Sequence, residues 1–387
     1  MSIQHLFASI VCCLILLSCQ ERDGVTFDTS FKGARLGEVK QVGKDSYEAR
    51  VLPAFEPVNP SPWYAFTVQS EEPRTIQLKL KYGKYQHRYI PKISSDDAQW
   101  QPLDTSLVRV DTIGHSATLT LKVGPEKHFV AAQEIESSED TFFWAKQKAK
   151  ENPNSQLEIA GNTVEGNPNY VFIHEQEKPK DFIVLVARQH PPEIPGGTIG
   201  FKSFYETLLS ETITAKEFRK HFNIYAFPLL NPDGADSGNW RHNANGIDLN
   251  RDWVAFSQPE TQMVRDFVDH KIAEGQKIRF ALDFHTSHSG PYVLVLDSIN
   301  EVKTKKIIPN WIKNIESTTS LKVEVRRRSQ ELPYCYNFFY NTYLAEAVTY
   351  EDGDEDNRDT IKERGRIYAT QLMEVLLEKS AKNEFYE

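Results

Sequence analysis

The stretch Phe182-Ile183-Val184-Leu185-Val186-Ala187-Arg188-Gln189-His190-Pro191-Pro192-Glu193 decides how this chain folds. Six apolar residues in a row mark a strand buried on both faces, as in the sheet of an α/β domain. The polar residues after it then fall at a strand's carboxyl end, where such sheets gather their functional side chains. His190 and Glu193 stand three residues apart in a loop stiffened by Pro191 and Pro192, so little entropy is lost in fixing them. A histidine nitrogen and a carboxylate oxygen suit a borderline-soft cation such as zinc, and a zinc hydrolase needs about three protein ligands plus an open position for water.

A lone His-x-x-Glu is a weak signal, and the chain contains a second copy, His174-Glu175-Gln176-Glu177, in a charged stretch that reads as a surface turn. Context separates them. Only the first has a buried strand before it, prolines inside it and the glycines Gly196 and Gly197 after it. The third ligand is expected at His285, in Ala281-Leu282-Asp283-Phe284-His285-Thr286 at the end of another apolar run, with His288 as a neighbouring rival. The chain has 4 cysteines, Cys12, Cys13, Cys19 and Cys335, too few and too scattered for a Cys-rich metal site.

Working outward, residues from about 157 onward alternate strands and helices. Apolar strands are expected at Phe182 to Ala187, Ile224 to Leu230, Ile278 to Phe284, Tyr292 to Leu296 and Ala345 to Tyr350, with a C-terminal helix over Arg358 to Lys379. This is the pattern of an α/β domain with a central sheet flanked by helices. Before it, Thr75 to Tyr82 and Ala117 to Val123 alternate apolar and polar residues with period two. They predict half-exposed antiparallel strands in a small β-sandwich. A helix is expected over Asp140 to Lys150, broken at Pro153. The expected division is 1–19 as a leader, 20–150 as the β-sandwich and 155–385 as the α/β domain.

The 387 residues, 40% hydrophobic and 26% charged, are ordinary for a globular protein. A formal charge of -9 with no Lys/Arg stripe gives no footing for nucleic acid. The basic clusters Lys303, Lys305, Lys306 and Arg326, Arg327, Arg328 read as solvated surface. Leu6 to Leu17 is apolar apart from Ser9, which suits a signal-peptide core and is too short for a bilayer core of roughly 30 Å. It ends in Leu16-Leu17-Ser18-Cys19, which resembles the bacterial lipobox, although Met1 to His5 holds no Lys or Arg. The resemblance implies export to the bacterial cell envelope, lipid attachment at Cys19 and a membrane partner through that anchor. With Cys12 and Cys13 removed and Cys19 lipidated, Cys335 is left without a disulfide partner.

After the strand near Ile224 come Leu230-Asn231-Pro232-Asp233-Gly234, Trp240-Arg241 and Gly246-Ile247-Asp248-Leu249-Asn250-Arg251-Asp252-Trp253. Two arginines and two asparagines in one loop suit the bidentate holding of a carboxylate and the stabilisation of an oxyanion. Together, His-Pro-x-Glu, Asn-Pro-Asp-Gly, Trp-Arg, Asp-Leu-Asn-Arg-x-Trp, a strand-ending Asp-x-His and the late Thr349-Tyr350-Glu351 resemble, in this order, the zinc carboxypeptidases of the carboxypeptidase A type. The resemblance covers roughly 157 to 380. A β-rich segment in front looks most like the cytosolic carboxypeptidase branch and its bacterial relatives.

The resemblance implies one Zn2+ held by His190, Glu193 and His285, with Glu351 as general base and Arg241 facing the oxyanion. Asn250 and Arg251 would grip the terminal carboxylate of a peptide substrate. Such an enzyme hydrolyses a C-terminal amide bond through a zinc-activated water whose proton the glutamate takes and returns to the leaving amine. Two alternatives stand beside it: an amidopeptidase acting on peptidoglycan stem peptides, and a lipid-anchored protein that binds peptide or glycan without turnover. The family's mobile tyrosine has no gap-free counterpart here, since counting back from Glu351 reaches Ser329, and Tyr334, Tyr336, Tyr340 and Tyr343 all lie nearby. Glu351 also opens an acidic run, with Asp352, Asp354, Glu355 and Asp356, that read locally is plain surface.

Overall fold

The computed structural model describes residues 20–22, 24–176, 181–297 and 305–385. Cys19 and the apolar leader, Glu177 of the second His-x-x-Glu, and Lys303 lie outside them. Among the described residues no helix is long and apolar enough to cross a membrane.

The first part of the chain builds two sheets, one of six strands and one of five. The two period-two segments pair with each other, Arg74–Lys81 against Ser116–Val123, with Leu78 opposite Leu119. Their apolar sets, Ile76, Leu78 and Leu80 with Ala117, Leu119 and Leu121, are buried. Both sheets close on one core, where Val25, Phe27, Phe66 and Val68 of the six-stranded sheet meet Tyr47, Leu78 and Leu119 of the other. The Phe27 and Tyr47 rings make an edge contact at 5.3 Å. One pairing departs from the antiparallel expectation: Ser46–Arg50 runs parallel to Arg74–Lys81.

A helix, Ser138–Glu151, leads out of these sheets, begun by a capping box in which Ser137 and Asp140 satisfy each other's backbone groups. An eight-stranded mixed sheet follows. Its order is Ser155–Asn162, Pro168–His174, Phe222–Phe227, Asp181–Ala187, Lys277–Ser287, Glu346–Gly353, Tyr292–Leu296, Val325–Arg328. The four strands from Phe222–Phe227 to Glu346–Gly353 run parallel; the chain direction reverses on either side of them, and the edge strand Val325–Arg328 pairs parallel with Tyr292–Leu296. All of Asp181–Ala187 and Phe222–Phe227 is buried, which is why these strands read as unbroken apolar runs. The C-terminal helix Arg358–Ala381 packs with Phe201–Leu208, Ile213–His221 and Ile307–Thr318, burying Ile361, Tyr368, Leu372, Val375 and Leu376.

Three strands of this sheet were not legible. Ser155–Asn162 and Val325–Arg328 are edge strands, half exposed and polar, so neither carries an apolar run. Pro168–His174 opens with polar residues and ends in the histidine assigned above to a surface turn. His174 is instead buried, hydrogen-bonded through Nδ1 to Ser155 Oγ at 2.8 Å across the strand pair.

Candidate active site

The four parallel strands deliver the candidate residues from their carboxyl ends. His190 and Glu193 follow Asp181–Ala187. Arg241, Asp248, Asn250 and Arg251 lie in the long loop after Phe222–Phe227, His285 is near the end of Lys277–Ser287, and Glu351 is near the end of Glu346–Gly353. Pairing of the last two strands places Glu351 directly opposite His285. All of these except Asp248 line one cleft of about 580 Å³.

The loop after Ala187 is fixed from within. Arg188 takes a left-handed backbone (φ +54°) and sinks its guanidinium into the interior, where Nη1 donates to Thr198 Oγ1 at 2.6 Å. Gln189, also buried, donates to Asp283 Oδ1 at 2.8 Å and accepts from Trp253 Nε1 at 2.9 Å. The chain then winds into the turn Pro195–Gly200 against the strand carrying His285. A Cβ at Gly196 would collide with the His285 carbonyl oxygen, so only glycine allows that approach.

The Glu193 carboxylate sits between two imidazoles, with His190 Nδ1 2.8 Å from Oε1 and His285 Nδ1 2.6 Å from Oε2. One ligand atom from each of the three residues falls within 4.8 Å of the others. Each imidazole is held from behind by a further carboxylate: His190 Nε2 meets Asp248 Oδ1 at 2.9 Å and His285 Nε2 meets Asp283 Oδ2 at 2.8 Å. Arg241 Nε in turn donates to Asp248 Oδ2 at 2.6 Å. Carboxylates behind ligating histidines orient the rings and raise their basicity, which is the outer shell a zinc site requires. His288 lines the cleft but stands outside the cluster.

The electrostatics agree with a cation site. Burial raises the Glu193 carboxyl, yet His190 and His285 outweigh it and hold the group well below the usual carboxylate range. Burial opposes charge on His285, while Asp283 and Glu193 raise its pKa well above the ordinary value. For Asp248, burial is overcome by His190 and Arg241, and the carboxyl is again held low. Three carboxylates thus surround the two imidazoles, and the nitrogen and oxygen donors converging at Glu193 fit a zinc ion. Glu351 differs. Burial pushes its carboxyl up to about 8 against the pull of His285, with Glu193 and Asp283 adding to the rise.

On the opposite wall, Asn250 gives its side-chain oxygen to the Cys335 N–H at 2.9 Å and keeps Nδ2 3.3 Å from His285 Nε2. Arg251 lies with its guanidinium 4.3 Å above the Tyr334 ring. Of the four tyrosines left open by the sequence, Tyr334 lines the cleft, Tyr336 and Tyr340 are buried, and the Tyr343 hydroxyl donates to Asp269. Two clusters read as surface are only partly so: Arg327 and Arg328 are exposed, as is Glu355. Arg328 lines the cleft and Arg326 stacks at 3.6 Å on Tyr292, itself a cleft residue opposite Glu351. In the acidic run, Asp352 and Asp354 are buried.

Sequence reasoning missed two sets of residues. Asp248 and Asp283 were quoted in motifs and given no role, although strand alternation puts Asp283 on the same face as His285. Asn59, Pro60, Ser61, Gln86, His87 and Arg88 of the N-terminal sheets also line the cleft. Trp240, beside Arg241, packs into the N-terminal core and donates from Nε1 to the Trp63 carbonyl at 3.1 Å.

A buried mixed sheet presenting two histidines and a glutamate at adjacent strand ends defines a zinc-hydrolase type of fold and site. The family model described as zinc carboxypeptidase matches residues 143–375, and the chain belongs to that family. Mouse cytosolic carboxypeptidase 6 is 25% identical over 300 residues, 68% of this chain and 53% of that protein. A putative zinc carboxypeptidase of Plasmodium falciparum is 36% identical over 131 residues, 32% of this chain and 8% of that protein. The chain thus spans about half the length of the mouse relative and a small part of the other. Among solved structures, a metallo-carboxypeptidase from Burkholderia cenocepacia superposes with a TM-score of 0.76 at 20% identity, over 91% of this chain and 99% of that one. A metallo-carboxypeptidase from Pseudomonas aeruginosa, in complex with (2-guanidinoethylmercapto)succinic acid, gives 0.75 at 18% identity, over 91% and 99%. These likenesses reach across the N-terminal sheets as well as the zinc carboxypeptidase domain.

Proposed function

We propose that this chain is a zinc-dependent metallocarboxypeptidase that hydrolyses the C-terminal peptide bond of its substrate. The observation that carries the reading is the convergence of His190, Glu193 and His285 on one point, with Glu351 on the neighbouring strand of the same cleft. Those three residues would hold a zinc ion, which would supply Lewis acidity toward the scissile carbonyl and toward water.

The chain's own groups do the rest. Glu351 takes a proton from the attacking water and returns it to the leaving amine. Arg241, fixed by Asp248, stabilises the oxyanion, a contribution on the scale of about 3 kcal/mol. Asn250 Nδ2 and the Arg251 guanidinium hold the terminal carboxylate, and Tyr334, under Arg251, lines the cleft beside it. Arg328 at the cleft wall favours an acidic terminal side chain. The test is incubation of zinc-loaded protein with N-acylated peptides that differ in their last residue. Release of single C-terminal residues, acidic ones fastest, supports the reading. Internal cleavage, or no release with stoichiometric zinc bound, contradicts it.

The division into a leader at 1–19, a β-sandwich at 20–150 and a catalytic domain at 155–385 belongs to the same proposal. So do export to the cell envelope and lipid attachment at Cys19, supported by the sequence Leu16-Leu17-Ser18-Cys19. An envelope location favours one second reading, cleavage of peptidoglycan stem peptides. Muropeptides digested faster than ordinary peptides would establish it, and a membrane-fraction protein whose mass lacks a diacylglycerol at Cys19 would remove its basis.

A further inference from the structure

Glu351 owes its position to its backbone, because among the described residues its buried Oε2 has no hydrogen-bond partner. Where the carboxylate sits is therefore decided by where the strand Glu346–Gly353 ends. That end is gripped from two sides. On one, Arg364 of the C-terminal helix pairs with Asp352 and, at 2.9 Å, with Asp356. On the other, the N-terminal sheets reach across with Arg88, whose Nε and Nη2 meet Asp354 Oδ2 and Oδ1 at 2.8 and 2.9 Å. Lys92 Nζ and the Ile90 N–H hold Glu355 at 2.8 and 2.9 Å, and Gln133 donates to the Asp354 carbonyl at 3.1 Å.

The Arg88 fork is built as a brace. Its side chain is 17% exposed and that of Asp354 5%. Nη1 is spent on the Pro60 carbonyl at 3.1 Å and Ser61 Oγ at 2.8 Å, so most of the donors of this cleft-lining guanidinium are held by protein acceptors. A bidentate guanidinium–carboxylate pair fixes orientation as well as distance, which a lysine cannot do. Asp354 lies three residues beyond Glu351, roughly 10 Å at the rise of a strand. A displacement at the brace thus reaches the carboxylate through a short, stiff segment.

We propose that Arg88 is a positioning residue for Glu351, which makes the N-terminal sheets a working part of the catalytic centre. This rests on Glu351 being the general base. The test measures kcat and KM, per folded and zinc-bound molecule, for full-length Arg88→Ala, Asp354→Ala and the double variant. A misplaced base predicts that kcat falls roughly ten- to a hundredfold in each single variant, with KM little changed and zinc still stoichiometric. The double variant falls no further than the worse single one, and Arg88→Lys recovers part of the loss. Lys32→Ala, which breaks an exposed ion pair to Asp236 between the same two parts of the chain, keeps the full kcat.

Unchanged kcat in folded Arg88→Ala, with only a lower unfolding temperature, overturns the inference. So does a double variant showing the product of the two single losses. If Arg88→Ala does not fold, wild-type kcat in Arg88→Lys overturns it equally. A wild-type protein that binds zinc and hydrolyses no peptide refutes the proposed function instead.

Discussion

His174 and His190 share the His-x-x-Glu spacing and more besides. Each ends or follows a strand of the central sheet, each is 3% exposed, and each is followed three residues later by a glutamate. Their surroundings are opposite. His174 has a serine hydroxyl on Nδ1 and, among the described residues, no partner on its buried Nε2, and burial, reinforced by Arg219, lowers its pKa to about 4. His190 has a carboxylate on each nitrogen and a second histidine ring 4.8 Å away. Spacing brings candidate groups together; the charge placed behind them decides whether the site wants a cation or a neutral ring.

The contrast breaks most visibly in metal content. His190→Gln and His285→Gln are expected to lose stoichiometric zinc and with it activity, whereas His174→Gln retains both; elemental analysis of the purified variants decides. Next in size are the carboxylates behind the rings. Asp248→Asn and Asp283→Asn should weaken zinc affinity or turnover roughly ten- to a hundredfold, measured by chelator competition, and no change in either would remove the outer shell from the account.

The smallest effect is on stability. The folded state keeps His174 neutral, with a pKa of about 4 against an ordinary 6.5. Between those values the unfolded chain binds the extra proton, so this contribution is intact above pH 6.5 and is lost as pH falls toward 4. His87, lowered by burial to about 4, acts in the same direction. His174→Gln should flatten the decline of unfolding free energy between pH 6.5 and 4, as read by denaturant titration. An unaltered slope would mean that His174 does not titrate as buried.

What was legible follows the same division. Strands buried on both faces, such as Asp181–Ala187, announce themselves, and their ends and the loops after them carried the residues read as the site. Edge strands such as Val325–Arg328 did not, because a half-exposed strand has no apolar run. The acidic run after Glu351 looked like surface because its partners lie far off in sequence; Arg88 is 266 residues from Asp354. Charge pairing of that kind leaves no local pattern, and the same distance hid the part of the cleft built by the N-terminal sheets.

The central claim is that a metal site and Glu351 together make a carboxypeptidase. Its most direct test is C-terminal residue release by wild type and Glu351→Gln at equal, stoichiometric zinc occupancy. Loss of the general base predicts a fall in kcat on the order of 10²- to 10⁴-fold with zinc retained. Full activity in Glu351→Gln, or wild-type activity that survives complete removal of zinc, would contradict it.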